Sequence, residues 1–283
     1  QVTGNNNIFG PGADDNFVGG SGNSGTGDNN IVVGNGNATG ATNQNLIVGD
    51  SNTNSFTSDN NGVGDENTVF GGQQNNVLGD NTYIDGARSI AVGQNAHVEG
   101  NDAIATGTHA FALNTESIAT GAYSTASALW AIATGSGATA SGNHSNAYGS
   151  ESDATGLDST AVGYYAQANQ QGATALGGGG GAAAAANANG EFAVAIGGGA
   201  TDGASANANN AIAVGQASLA NTNGSVAIGQ TSQATGQRTV AVGQYSEATG
   251  WSSTALGQDA EATSARATAT GQGSEASGYR SSA

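Results

Sequence analysis

The chain has no cysteine, no methionine and no lysine, a single proline at Pro11, and four arginines set against 21 acidic residues in 283. Without cysteine there is no disulfide framework and no thiolate metal site. A formal net charge of −17 repels nucleic acid, whose backbone must be met by positive side chains. Lacking lysine, the chain has no P-loop. No apolar run approaches the ~20 residues of a membrane-spanning helix. Repetition has to supply the stability instead, and 49 glycines punctuate it.

The repeated phrase is Ser89-Ile90-Ala91-Val92-Gly93. Its variants close at Gly107, Gly121, Gly135, Gly149, Gly163 and Gly177, then at Gly197 and Gly215 after two longer gaps, then at Gly229, Gly243, Gly257 and Gly271. A fixed period of fourteen residues is the mark of a solenoid. Within the phrase, Ser89, Ala91 and Gly93 share one side of an extended strand and Ile90 and Val92 the other. The first side stays small throughout, so the coil is narrow. The second half of the repeat is small on one side too, as Ser232 and Ala234 or Ser246 and Ala248 show. Two short strands per coil are therefore predicted, with coils stacked at roughly 4.8 Å. Gly236, Gly250 and Gly278 are expected to close the second strand, as Gly229 and Gly243 close the first, through turns with positive φ.

The outward side of the first strand carries Ile90, Ile104, Ile118, Ile132, Val194, Ile212, Val226 and Val240 in one column. Val92, Ile196, Val214, Ile228 and Val242 lie in the next, with Val162, Leu176 and Leu256. A strip this long exceeds the few hundred Å² that monomers expose, which predicts an interface. Three coils around a common axis would cover it by cyclic closure. The outward positions of the second strand, among them Gln233, Glu247, Glu261 and Glu275, are polar and should face solvent.

Residues 1–88 follow a looser pattern, an asparagine before aliphatic residues and a glycine, with spacings of seven, eight and fifteen. We expect an asparagine- and glycine-rich distal segment of irregular coils, with polar excursions such as Asp50 to Asn61 and a cap near Gln1 to Gly27, followed by a regular array over 89–283. Insertions at 178–189 and 198–209 should bulge as loops. The chain opens at Gln1 without methionine and ends in Ser281-Ser282-Ala283, the start of another repeat. The expectation is a piece of a longer protein.

The phrase Ser225-Val226-Ala227-Ile228-Gly229-Gln230-Thr231-Ser232-Gln233-Ala234-Thr235-Gly236, repeated at this period, resembles the head domain of trimeric autotransporter adhesins, the YadA-like heads. The resemblance covers 89–283. It implies an all-β, left-handed parallel β-roll with about 14 residues per turn, assembled as a homotrimer on the outer membrane of a Gram-negative bacterium, and truncated before a stalk and a membrane anchor. The membrane would be reached only through that missing anchor.

The candidate sites follow from the columns. All four arginines, Arg88, Arg238, Arg266 and Arg280, occupy one column, five positions before the closing glycine or its next place. Pairing of Arg238, Arg266 and Arg280 across chains with Glu261 and Glu275, solvated turn residues, and ligand contact are the open readings. Glu247, Glu261 and Glu275 form a carboxylate ladder, read either as a solubilising face or as a surface for a basic ligand or cation. Tyr164, Tyr165, Tyr245 and Trp251, with Tyr279, are candidates for partner contact, since aromatic side chains anchor interfaces. Gly10-Pro11-Gly12-Ala13-Asp14 and Gly27-Asp28 have the residue types of calcium turns but do not repeat in register, so no metal and no cofactor is assigned. His97, His109 and His144 occupy three columns and form no cluster, and no nucleophile elbow occurs. An enzyme is therefore not expected. The expected partners are other copies of the chain and a host matrix protein, glycan or surface; the alternative is a structural, phage-fibre or ice-binding solenoid.

Overall fold

The computed structural model describes residues 1–10, 14–41, 43–55 and 59–283. It comprises two compact units, Gln1–Gly137 and Ala138–Ala283. Each unit is a parallel β-solenoid, and the described residues contain no helix. In the regular array a coil gives one three-residue strand, such as Ile90–Val92, to a first sheet and one two-residue strand, such as His97–Val98, to a second. In the first unit Ile90 pairs with Ile104, Ile104 with Ile118 and Ile118 with Ile132. In the second unit Val194, Ile212, Val226 and Val240 align in the same way. The fourteen-residue period is thus one coil.

The core is as thin as the small residues require. Ala91, Ala105, Ala119 and Ala133 of the first sheet and Ala112 and Ala126 of the second have no exposed surface, and Ala213, Ala227, Ala234 and Ala248 repeat the arrangement in the second unit. Inward serines serve the turns: Ser124 Oγ donates to the Gly121 carbonyl at 2.8 Å, and Ser232 Oγ to that of Gly229 at 2.9 Å. The closing glycine is fixed twice over. Gly93 has φ +127°, and a Cβ there would come within 2.5 Å of the Gly107 carbonyl oxygen one coil on.

The glycines after the second strand have a different reason from the one expected. Gly236 and Gly250 do not adopt positive φ. A Cβ on Gly250 would lie 2.0 Å from the Ser264 carbonyl oxygen, and one on Gly236 2.5 Å from that of Gly250. At Gly278, also not left-handed, no atom comes that close. The left-handed residue of that turn lies two positions later, at Arg238 (φ 58°), Ser252 (φ 54°), Arg266 (φ 61°) and Arg280 (φ 58°). The arginine column is therefore a left-handed turn position, one that glycine, asparagine and aspartate ordinarily favour.

The first 88 residues form the same kind of coil. Phe17, Ile31, Leu46, Asn61, Asn76 and Ile90 are in register on the first sheet, which makes three of these coils fifteen residues long. Spacings of seven and eight arise because Thr68–Phe70 belongs to the second sheet and Asn76–Leu78 to the first; they are half-coils. The expected excursion from Asp50 to Asn61 contains the strand Thr53–Ser55. The expected cap is also coiled, with Ile8 paired to Ser24 and Val2 bridged to Val18. Residue 88 marks a change of composition inside the first unit.

What changes there is the core. Asn16, Asn30, Asn45, Asn60 and Asn75 are buried in one inward column and Asn23, Asn37, Asn52 and Asn67 in the other. Each carboxamide oxygen accepts the backbone N–H of the next asparagine, from 2.7 Å at Asn30 onto Asn16 to 3.1 Å at Asn60 onto Asn45. The columns end on Ser89, whose N–H meets Asn75 Oδ1 at 2.9 Å, and on Thr82, whose hydroxyl meets Asn67 Oδ1 at 2.6 Å. The buried carboxamide oxygens are thus satisfied by the next coil, while Asn67 Nδ2 has no hydrogen-bond partner among the described residues.

The two insertions are packed rather than loose. Strands Asn187–Ala188 and Ser205–Ala206 lie inside the expected loop ranges, and Ala184, Ala185, Ala186 and Ala204 are buried. The remaining segments lie one on the other. Gly199 N donates to Ala184 O at 2.8 Å and Gly203 N to Ala183 O at 3.0 Å. A Cβ at Gly198 would sit 1.9 Å from the Gly178 carbonyl oxygen. Glycine and alanine pack here through backbone contact, which side-chain size does not report.

Candidate functional site

The dominant feature of each unit is the outer face of its first sheet. In the first unit Ile90, Ile104, Ile118 and Ile132 stack at one coil per step beside Val92, Thr106, Thr120 and Thr134. Upstream coils add Phe17 and Ile31, each nearly half exposed, and Leu78 at 54%. In the second unit Val194, Ile212, Val226 and Val240 stack beside Ile196, Val214, Ile228 and Val242. Neighbours in a column shield each other's flanks, yet Ile196, Ile228 and Leu256 each keep 38% of their surface. Fully burying such a side chain contributes roughly 1.5–3 kcal/mol, so covering the remaining third on each gives roughly 0.5–1. Repeated over the coils, this favours association.

The second sheet is polar over most of its outer face. Thr139, Asp153 and Gln167 align, and further on Gln233, Glu247, Glu261 and Glu275 do so. Burial holds the Asp153 carboxyl above the ordinary aspartate range, the Thr139 hydroxyl opposes this by hydrogen bonding, and Glu151 adds to the rise. An exception in the first unit goes beyond what the sequence columns suggested. Tyr83, His97 and Phe111 occupy successive outward positions. Tyr83 and His97 stack at 4.7 Å between ring centroids, and Phe111 follows at 5.9 Å. The signal is in the sequence, since all three share the column of Gln233 and Glu247.

The arginines divide by environment. Arg88 holds Asp102 of the next coil through a two-point contact, Nε to Oδ1 at 2.7 Å and Nη2 to Oδ2 at 2.5 Å. The hydrogen bond from Arg88 lowers the Asp102 pKa and raises that of Arg88. Arg266 lies over the Trp251 ring at 5.0 Å and Arg280 over Tyr279 at 5.1 Å. Among the described residues, Arg238, Arg266 and Arg280 form no ion pair with Glu261 or Glu275 inside one chain. The histidines stay separate: His97 Nε2 lies 2.9 Å from Glu99, His144 Nδ1 2.8 Å from Asp158, and His109 stacks on Tyr123 at 5.0 Å.

Tyr164 and Tyr165 touch, with centroids 4.3 Å apart, and the hydrogen bond with Tyr164 raises the Tyr165 pKa. Tyr164, Tyr245 and Trp251 are exposed, but the fold places them at separate turns and not in one site. No group of three or more histidine, aspartate or glutamate side chains among the described residues is arranged to hold a metal. Of the expected calcium turn, Pro11 to Ala13 fall outside the described residues, and Asp14 N donates to Asp28 Oδ1 at 2.7 Å.

A narrow parallel β-solenoid with one apolar and one polar outer face belongs to the β-rolls, whose coils present a continuous strip for another surface to cover. The chain carries repeats of a known kind: 85–110, 154–179, 206–232, 223–246, 234–260 and 248–274 match the YadA head domain repeat, a family whose unit holds two copies. No curated protein matches the chain.

Proposed function

We propose that the chain is the head of a trimeric autotransporter adhesin, wound left-handed and assembled as a homotrimer with the first sheets turned inward. The observation that supports this best is the pair of in-register apolar columns left open on each unit. In that assembly Ile90, Ile104, Ile118, Ile132, Val194, Ile212, Val226 and Val240, with Val92, Ile196, Val214, Ile228 and Val242, are the trimer interface. Arg238, Arg266 and Arg280 meet Glu261 and Glu275 of a neighbouring chain, each exposed pair contributing about 0–1 kcal/mol. The second sheets face outward from the surface of a Gram-negative bacterium. They attach it to host matrix and cells, to other bacteria or to inert surfaces, with Tyr164, Tyr165, Tyr245 and Trp251 among the contacts. Three copies make weak contacts effective together, and the role is binding rather than catalysis.

Beads carrying the chain test this reading. They are passed over immobilised matrix proteins, glycans and plain plastic, beside beads carrying an Ile212→Ser, Val226→Ser variant. Retention of the parent beads and release of the variant beads is the expected result. Equal retention of both sets would show that attachment does not need the assembly.

A further inference from the structure

Five rings gather on one side of the first unit, in a chain that is only 5% aromatic. Tyr83, His97 and Phe111 form the column on the second sheet. His109 and Tyr123 form a parallel stack, 7° between planes, in the adjoining turn column. Each lies two residues before an outward position of that sheet, Phe111 and Thr125. The coil itself does not require these rings: Thr68 precedes Tyr83 in the sheet column and Thr125 follows Phe111. Gly137 follows Tyr123 in the turn column, where it has no side chain to cover the ring, and Tyr123 is 62% exposed.

The rim of this patch is negative. Asp85 and Glu99 are exposed at the neighbouring outward positions, and Glu99 takes His97 Nε2 on one oxygen. The Tyr83 pKa is raised, first by burial and then by Asp85 and Glu99. Tyr83 and His97 face each other, so the edges of that pair rather than their faces point outward, which disfavours stacking of a sugar ring there, and Phe111 is tilted against His97 by 41°. The open face of Tyr123 suits a cation. Strand addition does not apply, because these strands already pair on both sides.

We propose that this patch docks an extended, basic polypeptide segment through its side chains, with aliphatic groups against Tyr83, His97 and Phe111, one lysine or arginine beside Glu99 and another over Tyr123. The proposal rests on the reading above that the second sheet faces outward.

Fluorescence anisotropy of the intact chain with a labelled peptide of lysine, leucine and glycine tests it at near-physiological salt. Threonine already occupies both columns, at Thr125 and Thr231, so a Phe111→Thr, Tyr123→Thr variant preserves the coil. With two anchors removed it is expected to lose more than about tenfold in affinity, and Glu99→Gln is expected to weaken binding and flatten its salt dependence. A control with Asp202→Asn and Asp259→Asn, two exposed carboxylates far along the chain, should bind like the parent. Equal losses in control and patch variants, no loss in the patch variant, or binding of a neutral oligosaccharide in place of the peptide would overturn the proposal. Sedimentation of the same samples separates the two readings. A patch variant that changes oligomeric state makes the patch a contact between copies and defeats the proposal. A monomeric parent that still binds through Tyr123 defeats the trimer and leaves the patch standing.

Discussion

Asn37 Oδ1 accepts the backbone N–H of Asn52, one coil further on, at 3.0 Å, while Asn37 Nδ2 donates back to Asn23 Oδ1 at 3.1 Å and to the Gly49 carbonyl at 2.7 Å. One buried side chain thus joins three coils. Asn37→Ala leaves the Asn52 N–H and the Gly49 carbonyl without this partner, at about 1–3 kcal/mol for each buried group. In a solenoid the loss is felt by adjoining coils first. Hydrogen exchange should therefore show lost protection around Asn23 to Asn67 before global melting. Unchanged exchange there would mean that the column is ornamental.

Two glycines should respond oppositely to substitution. Gly250 is not left-handed but has a neighbouring carbonyl oxygen 2.0 Å from where a Cβ would lie, whereas Gly273 has φ +64° and open space. Gly250→Ala forces adjacent coils apart and should cost about 1–3 kcal/mol. Gly273→Asn places a residue that tolerates this conformation in the column of Asn95 and Asp259, and should change the melting temperature little. Thermal melts of the two variants decide the matter.

The insertions should be interdependent. Shortening both coils to fourteen residues removes the backbone contacts of Gly199 with Ala184 and Gly203 with Ala183 together with the groups that need them. Shortening only one strips the other of its cover. The double variant is predicted to melt closer to the parent than either single one, a coupling that additivity does not allow.

Asp153 provides the pH dependence. A carboxyl whose folded pKa is raised stabilises fully below its ordinary value of 3.8, and that contribution is lost as pH rises through the folded pKa. Asp153→Asn keeps an acceptor for Thr139 and removes the charge. It should raise the melting temperature at pH 7 and make no difference near pH 3. A gain that persists at low pH would point to a cause other than ionisation.

The regular coils are legible in the sequence because the two strand faces differ so sharply: Ile90 against Ala91 and Gln233 against Ala234 give the sheets, their direction and the coil length. The N-terminal coils are harder to read. Asparagine at Asn30 or Asn52 has the look of a turn residue, and only stacking shows that its amide replaces alanine inside. Likewise the sequence points to Gly250 as the left-handed residue when it is Ser252, since a glycine can mark close approach as readily as a turn. The aromatic column at Tyr83, His97 and Phe111 escapes notice because each ring stands alone in the sequence, and the coil brings them together.

The central claim is that the open first-sheet columns are covered by copies of the same chain. Sedimentation equilibrium over a wide concentration range tests it most directly, alongside the Ile212→Ser, Val226→Ser variant. The account predicts a trimer for the parent at all but the lowest concentrations and dissociation of the variant. A parent that stays monomeric at high concentration, with those isoleucines and valines open to water, would contradict it.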